Sequence, residues 1–300
     1  MEKRTSIRLL LTLWCTLMVA SCGTLNKVIP MGSVTPPMTP EERVEADKIT
    51  SARWESKPIG KGIVWKQYHF TDLFASKQYV NVLEIDTHNR LLRTDLIFTQ
   101  PGFIKTSEVG AKNKAAAAIN GSFFNTKTGG SVVYIKKQGK VIHAGDKEMN
   151  TYRQNGAVAL GPNGVSIVPM PQGGWQVSLL PTLLSGGPLL MQGGRVLDQV
   201  QEPFNTNRHP RTAIGKTRDG KVIAVVVDGR NAQSQGVSIA ELTLLMRALG
   251  CVDALNLDGG GSSTMWVEGY GIVNHPSDNK KFDHAGERAV ANVLTFSYHK

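Results

Sequence analysis

Two segments hold the residues best suited to chemistry: Asp228-Gly229-Arg230, and Asn256-Leu257-Asp258-Gly259-Gly260-Gly261-Ser262-Ser263-Thr264. A carboxylate such as Asp228 or Asp258 can attack, take a proton or stabilise a cation. Successive glycines strip away side chains and expose backbone amides, as anion-binding loops do, so Gly259 to Ser262 are expected to cradle an anion. Alternation along a strand would point Asn256 and Asp258 to one side and Leu255 and Leu257 to the other. Asp-Gly is also a common turn pair, so the weight of the reading rests on both segments meeting at one sheet edge. The glycine run lacks the Lys of a nucleotide-binding P-loop and the second Gly of the Gly-x-Ser-x-Gly elbow. His209, His275 and His284 are the nearest imidazoles, but no His-Glu-x-x-His or paired ligand spacing accompanies them, and a zinc site is not expected. Arg211, in His209-Pro210-Arg211-Thr212-Ala213, is either a phosphate-binding guanidinium or a solvated surface arginine. Asn120-Gly121-Ser122-Phe123-Phe124-Asn125 ends a small apolar run and fits either a sugar platform or a structural turn.

The elements that must position these groups are legible. Val132 to Ile135 with Lys140 to His143, Val158 to Leu160 with Val165 to Val168, and Pro188 to Met191 with Val196 flank glycine-bearing turns, the pattern of antiparallel hairpins. A fourth hairpin runs from Thr212 to Gly215, turns at Asp219-Gly220 and returns from Lys221 to Asp228. Its returning run, Val222 to Val227, is apolar on both faces and is expected at the centre of a sheet. Ser238 and Glu241 form a capping box, and Ile239, Leu242, Leu245, Met246 and Leu249 recur at helical spacing before Gly250. A buried strand from Val252 to Leu257 follows. Strand, helix, strand makes the two strands parallel, so Asp228 and Asp258 should emerge at one edge. The expected fold class is α+β: a single domain with a mixed, largely antiparallel sheet, β-hairpins and one β-α-β crossover.

Residues 1–21 have the pattern of a signal peptide: Lys3, Arg4 and Arg8, then an apolar run from Leu9 to Ala20 too short to span a bilayer. Small residues before Cys22 are similar to a bacterial lipobox, which predicts lipidation of Cys22; ordinary cleavage beside an incidental Cys is the alternative. The expectation is an exported bacterial lipoprotein anchored to a cell-envelope membrane. Residues 22–53 read as a Pro- and Thr-containing tether with one short helix, started by Thr39-Pro40-Glu41-Glu42, and 54–300 as the folded domain. Cys251 is left alone among apolar residues and reads as a buried small hydrophobe. The net charge of +10 over 300 residues attracts anionic partners. Nucleic acid is not expected, because no recognition motif accompanies the charge and export argues against it.

In this order, Ala118 to Phe124, Leu184-Ser185-Gly186-Gly187-Pro188, His209 to Ala213, Val227 to Arg230 and Asn256 to Ser263 resemble the phosphodiester glycosidase family, a domain of many bacterial proteins and of the lysosomal mannose 6-phosphate uncovering enzyme. The resemblance covers about residues 60–298. It implies an α+β domain with the motif residues in one cleft, and removal of a sugar from a sugar-1-phosphodiester. Glu287, Arg288 and Asn292 match the family pattern and are expected either to complete the cleft or to form an ordinary ion pair. The chemistry suggests Asp258 as nucleophile or base, Asp228 as its partner or a sugar ligand, and Arg211 as phosphate clamp, with Arg230 a second cation. Asn120, Asn256 and Ser262 would hold hydroxyls. The sequence requires no cofactor and leaves a divalent cation open. The competing function is a non-catalytic binder of anionic or phosphorylated glycans at the cell envelope.

Overall fold

The computed structural model describes residues 37–162 and 164–298. The signal-like segment, Cys22, the first part of the expected tether and Asn163 lie outside the described residues. The chain begins with α1 (Pro40–Ser51), then β1 (Glu55–Gly60), β2 (Ile63–Leu73), β3 (Ser76–Ile85), β4 (Leu92–Phe98), α2 (Thr106–Lys112) and β5 (Ala117–Asn120). Two hairpins follow: β6 (Tyr134–Lys137) with β7 (Lys140–Ala144), and β8 (Gly156–Gly161) with β9 (Gly164–Pro169). Next come β10 (Thr182–Gly186), β11 (Leu189–Gln192), β12 (Arg195–Val196), α3 (Pro203–Thr206), β13 (Arg211–Thr217) and β14 (Val222–Val227). The last elements are α4 (Ile239–Ala248), β15 (Cys251–Asn256), β16 (Met265–Val267), β17 (Gly271–Ile272) and β18 (Asn292–Tyr298).

These strands form three sheets with the orders β1-β2-β3-β14-β13-β15-β11-β12, β7-β6-β10-β8-β9 and β17-β16-β5-β18-β4. All four hairpins expected from the sequence are present. β14 lies between β3 and β13 and is buried along its whole length, which explains why both of its faces are apolar. Val222, Ala224 and Val226 pack into the core shared with the two smaller sheets, while Ile223, Val225 and Val227 pack beneath α1 and α4.

The β-α-β unit has a feature the linear pattern could not reveal. β14 and β15 each pair antiparallel with β13, so they are parallel to one another but not adjacent. β13 is inserted between them, and its first residue, Arg211, therefore starts at the edge where β14 and β15 end. The capping boxes at both helix starts are formed: Thr39 with Glu42 on α1, and Ser238 with Glu241 on α4. Ala46 and Ile49 dock α1 on the large sheet. Among the described residues, no helix is long and apolar enough to cross a membrane.

Candidate active site

A cavity of about 230 Å³ opens where β13 begins and β15 ends, lined by Phe204, His209, Arg211, Arg230, Asp258, Gly259, Gly260, Gly261 and Arg288. Asp258 lies two residues past the end of β15 and is part-exposed in this cavity. Its backbone is held on both sides: its N–H donates to the Gly121 carbonyl at 3.1 Å, and its carbonyl accepts from Asn120 Nδ2 at 2.8 Å. Its carboxylate accepts from the Gly259 N–H at 3.0 Å. Burial raises the Asp258 pKa above the ordinary carboxylate value, against the opposing pull of Ser262, the Gly259 N–H, Arg288 and Arg153. The Ser262 hydroxyl stands beside the carboxylate without the geometry of a formed hydrogen bond.

Arg211 is 1% exposed, which removes the solvated-surface reading. Its Nε donates to the Val237 carbonyl at 3.1 Å, and its Nη2 donates to the carbonyls of Phe204 and Asn207 at 2.5 and 3.2 Å. The guanidinium lies 4.9 Å over the Phe204 ring. Burial, then the nearby charges of Arg153 and Arg230, lower its pKa to about 10, which leaves it a cation at neutral pH. Arg230 follows the end of β14 with a left-handed backbone, φ 62°, and its exposed side chain packs against Gly260. Arg288 reaches the cavity while paired with Asp278 through Nε at 2.9 Å and through Nη2. Among the described residues, Arg211 and Arg230 have no carboxylate partner in an ion pair. Burial first, then Arg211 and Arg230, lower the His209 pKa below the ordinary imidazole value.

Three of the four amides expected to cradle an anion have partners inside the protein. Gly259 N–H is taken by Asp258 itself, Gly260 N–H by the Pro210 carbonyl at 2.8 Å, and Ser262 N–H by the Gly259 carbonyl at 3.2 Å. These three amides are therefore already engaged within the protein. The glycines instead make room: a Cβ on Gly259 would stand 2.6 Å from the Pro210 carbonyl oxygen, and one on Gly260, at φ 63°, 2.9 Å from Arg230 Nη2. The positive charge in the cavity comes from arginine side chains.

Several expected site residues are placed behind the cavity. Asp228 is buried and does not line it. Its carboxylate accepts from Asn274 Nδ2 and the His275 N–H, both at 3.0 Å, and pairs with His275 Nδ1 at 2.8 Å. The His275 ring stacks on Phe282 and His284, with centroids 3.7 and 4.5 Å away. Asn274 also donates to the Ser263 carbonyl, so Asp228 braces the end of the glycine turn. Asn120 is fully buried and makes only internal bonds, a correction to its expected hold on a substrate hydroxyl. Its Oδ1 accepts from Thr212 Oγ1 at 2.8 Å and the Thr264 N–H at 3.0 Å. Asn256, also buried, donates to the carbonyls of Gly187 and Leu257 at 2.7 and 2.8 Å. Asn292 accepts from the Ser122 N–H at 2.6 Å. Glu287 neither lines the cavity nor pairs with Arg288: its carboxylate accepts from Ser107 N–H and Oγ, at 2.8 and 2.5 Å, over the first turn of α2.

Sequence reasoning missed two residues. Arg153, in the short 3₁₀ turn Thr151–Gln154, lies 4.2 Å over the Phe204 ring and acts electrostatically on both Asp258 and Arg211. Phe204, on α3, is thus shared by two guanidiniums. Neither belongs to a motif. The histidine singled out only for lacking zinc-ligand spacing, His209, lines the cavity beside Arg211. Among the described residues, no group of three or more His, Cys, Asp or Glu converges to hold a metal ion. Cys251 is buried, and burial, with Asp253 nearby, pushes its thiol up to about 12, which makes it inert as a nucleophile at neutral pH.

The sequence profile of the phosphodiester glycosidase family matches residues 113–297, a span holding every cavity residue. An uncharacterized prophage-derived protein of Bacillus subtilis (strain 168), YomE, is 43% identical over 91 residues, 30% of this chain and 13% of that protein. The N-acetylglucosamine-1-phosphodiester alpha-N-acetylglucosaminidase of Mus musculus is 28% identical over 179 residues, 54% of this chain and 33% of the enzyme. The matches thus span a third or less of these curated relatives. The catalytic domain of the zebrafish enzyme of the same name shares the fold, with a TM-score of 0.63 at 21% identity over 83% of this chain and 84% of that one. A family profile that takes in more than half of the sequence, together with the shared fold, shows that the chain belongs to the phosphodiester glycosidase family.

Proposed function

We propose that the protein hydrolyses the bond between a sugar's anomeric carbon and a phosphodiester oxygen, in the cavity around Asp258. The observation that carries this reading is one cavity lined by both a part-exposed carboxylate and the buried guanidinium of Arg211, flanked by Arg230 and Arg288. Cleavage of such a bond develops positive charge on the sugar and negative charge on the departing phosphate, and the cavity offers a partner of opposite sign to each. A cavity of 230 Å³ is smaller than the usual ligand pocket, so it suits the reacting phosphate and adjoining sugar while the remainder of the diester extends outside.

Among the described residues, Asp258 is the sole carboxylate lining the cavity, and its raised pKa suits a proton acceptor better than a permanently charged nucleophile. In the proposed step, Asp258 takes a proton from water and the water oxygen bonds to the anomeric carbon. The anomeric C–O bond breaks with its electron pair going to the phosphate oxygen, held by Arg211 and Arg230. The products are a reducing sugar and a phosphomonoester. Phosphate departs without a proton, so no second carboxylate is needed as an acid. A panel of sugar 1-phosphodiesters, assayed with and without chelator, tests this: release of reducing sugar supports it, and saturable binding without release favours a glycan-binding module.

We also propose that the chain is exported and held at the cell envelope by lipid on Cys22. The reading is supported by the basic start, the short apolar run and the small residues before that cysteine. Metabolic labelling with a palmitate analogue, lost in Cys22→Ala, tests the anchor.

A further inference from the structure

The end of the molecule away from Asp258 has an unusual charge distribution. Residues 109–145 and 149–197 contain no Asp or Glu, and the whole sheet β7-β6-β10-β8-β9 falls within them. Between β9 and β10 the chain crosses the outer face of this sheet. Trp175 anchors that crossing: it is buried, its Nε1 donates to the Gln154 carbonyl at 2.8 Å, and its ring stacks on Tyr134. Past the anchor the segment turns outward, leaving Leu179 97% and Val177 54% exposed. Its base is fixed too, since the Pro181 carbonyl accepts from the Gly139 N–H at 2.8 Å at the β6–β7 turn. Lys136 Nζ donates to the Ser178 carbonyl at 2.8 Å, which places a cation beside the leucines.

A cleft of about 960 Å³ adjoins this tip, lined by Arg90, Arg93, Lys137 and, from the base of the tip, Pro181 and Thr182. Leu91, between Arg90 and Leu92 of the cleft wall, is 53% exposed. One carboxylate lines the cleft at this end of β4, Asp95, paired with Lys137 at 3.0 Å and Arg93 at 3.6 Å. Two basic side chains thus share one acid, and Arg90 adds a further positive charge.

Exposed leucines on an anchored segment are unfavourable in water, and a cleft rich in arginine favours phosphate. An anionic lipid surface answers both, with headgroup phosphates over hydrocarbon. A side chain 97% exposed stands clear of its own surface, which suits insertion into a deformable layer. We propose that Leu179, Leu180 and Leu91, around the cleft of Arg90 and Arg93, form a face that lies on an anionic bilayer. β10 runs from Thr182 at this face to Gly186, where a Cβ would meet Ser122 and the Asn256 carbonyl, so about 13 Å of strand separates the face from the Asp258 end. The cavity stays open when the face is seated. This inference is independent of the proposed hydrolysis and of any lipid on Cys22.

Hydrogen–deuterium exchange on the full chain tests it locally, with phosphatidylcholine vesicles that contain or lack phosphatidylglycerol. Anionic vesicles should slow exchange by about tenfold or more in residues 176–181 and 138–142. Neutral vesicles should not. Leu179→Asp/Leu180→Asp and Arg90→Gln/Arg93→Gln should each abolish the effect with unchanged thermal midpoints, since the altered side chains are exposed. No slowing with anionic vesicles, or equal slowing with neutral ones, would overturn the proposal. So would slowing that grows with protein concentration in the absence of vesicles, which would make the face a contact between copies of the chain.

Discussion

Asn120 Nδ2 donates to the Asp258 carbonyl oxygen at 2.8 Å, joining the end of β5 to the segment just beyond β15. The same side chain accepts from Thr212 on β13 and from the Thr264 N–H beyond the glycine turn. One buried amide therefore fixes the backbone of the cavity's carboxylate against three other segments. Asn120→Ala leaves those groups without a buried partner and should cost about 2–4 kcal/mol of stability. It should lower kcat by roughly 10- to 100-fold through misplacement of Asp258, with KM little changed. Steady-state kinetics and denaturant unfolding check both; an equal rise in KM at unchanged kcat would instead make Asn120 a substrate ligand.

Asp258 makes opposite predictions for activity and stability. Its folded-state pKa is raised, so the folded chain binds this proton more tightly than the unfolded chain does. The resulting stabilisation is full below the unfolded carboxylate value near 3.8 and is lost as pH rises through the folded value. Asp258→Asn mimics the neutral form and keeps an acceptor for the Gly259 N–H. Its thermal midpoint should match the wild type in acid and exceed it by about 2 °C or more at neutral pH. Activity runs the other way: the base must be ionised, so kcat/KM should fall with acidification at a higher pH than an ordinary carboxylate would give.

Asp228 separates bracing from catalysis. Its carboxylate is enclosed by Asn274 and His275 and does not line the cavity. Asp228→Asn should lower stability by about 1–3 kcal/mol through the weakened bond to His275 while activity stays within about tenfold of wild type. A loss of about a thousandfold in a folded variant would return Asp228 to the chemistry.

Arg230 is exposed and has no ion-pair partner among the described residues, so its replacement reads its contact with substrate alone. Arg230→Gln should leave the thermal midpoint unchanged, reduce kcat/KM by about tenfold and weaken competitive inhibition by inorganic phosphate by a similar factor. Unaltered inhibition would remove Arg230 from the phosphate site.

Much of this arrangement was legible in the sequence because it depends on local pattern. The apolar run of β14, the Ser238–Glu241 capping box and the glycine-marked hairpins each encode their own geometry. Asp228 and Asp258 could be placed at one edge because strand, helix, strand fixes direction. What could not be read was register and facing. Asp228 and Asp258 both end strands at that edge, yet Asp228 turns to His275, a partner 47 residues later. The Gly259 and Gly260 amides are taken by the Asp258 carboxylate and the Pro210 carbonyl, which composition does not reveal. Arg153 reaches the site only because the β6–β10 sheet carries the turn Thr151–Gln154 against Phe204.

The most direct measurement follows a sugar 1-phosphodiester by proton and phosphorus NMR with wild-type protein and Asp258→Asn. Single displacement by water with Asp258 as base predicts stoichiometric release of reducing sugar and phosphomonoester, with the first-formed sugar anomer inverted. It also predicts loss of about a thousandfold or more in the folded variant. An unchanged rate in Asp258→Asn, or cleavage that leaves the sugar attached to phosphate, would contradict it.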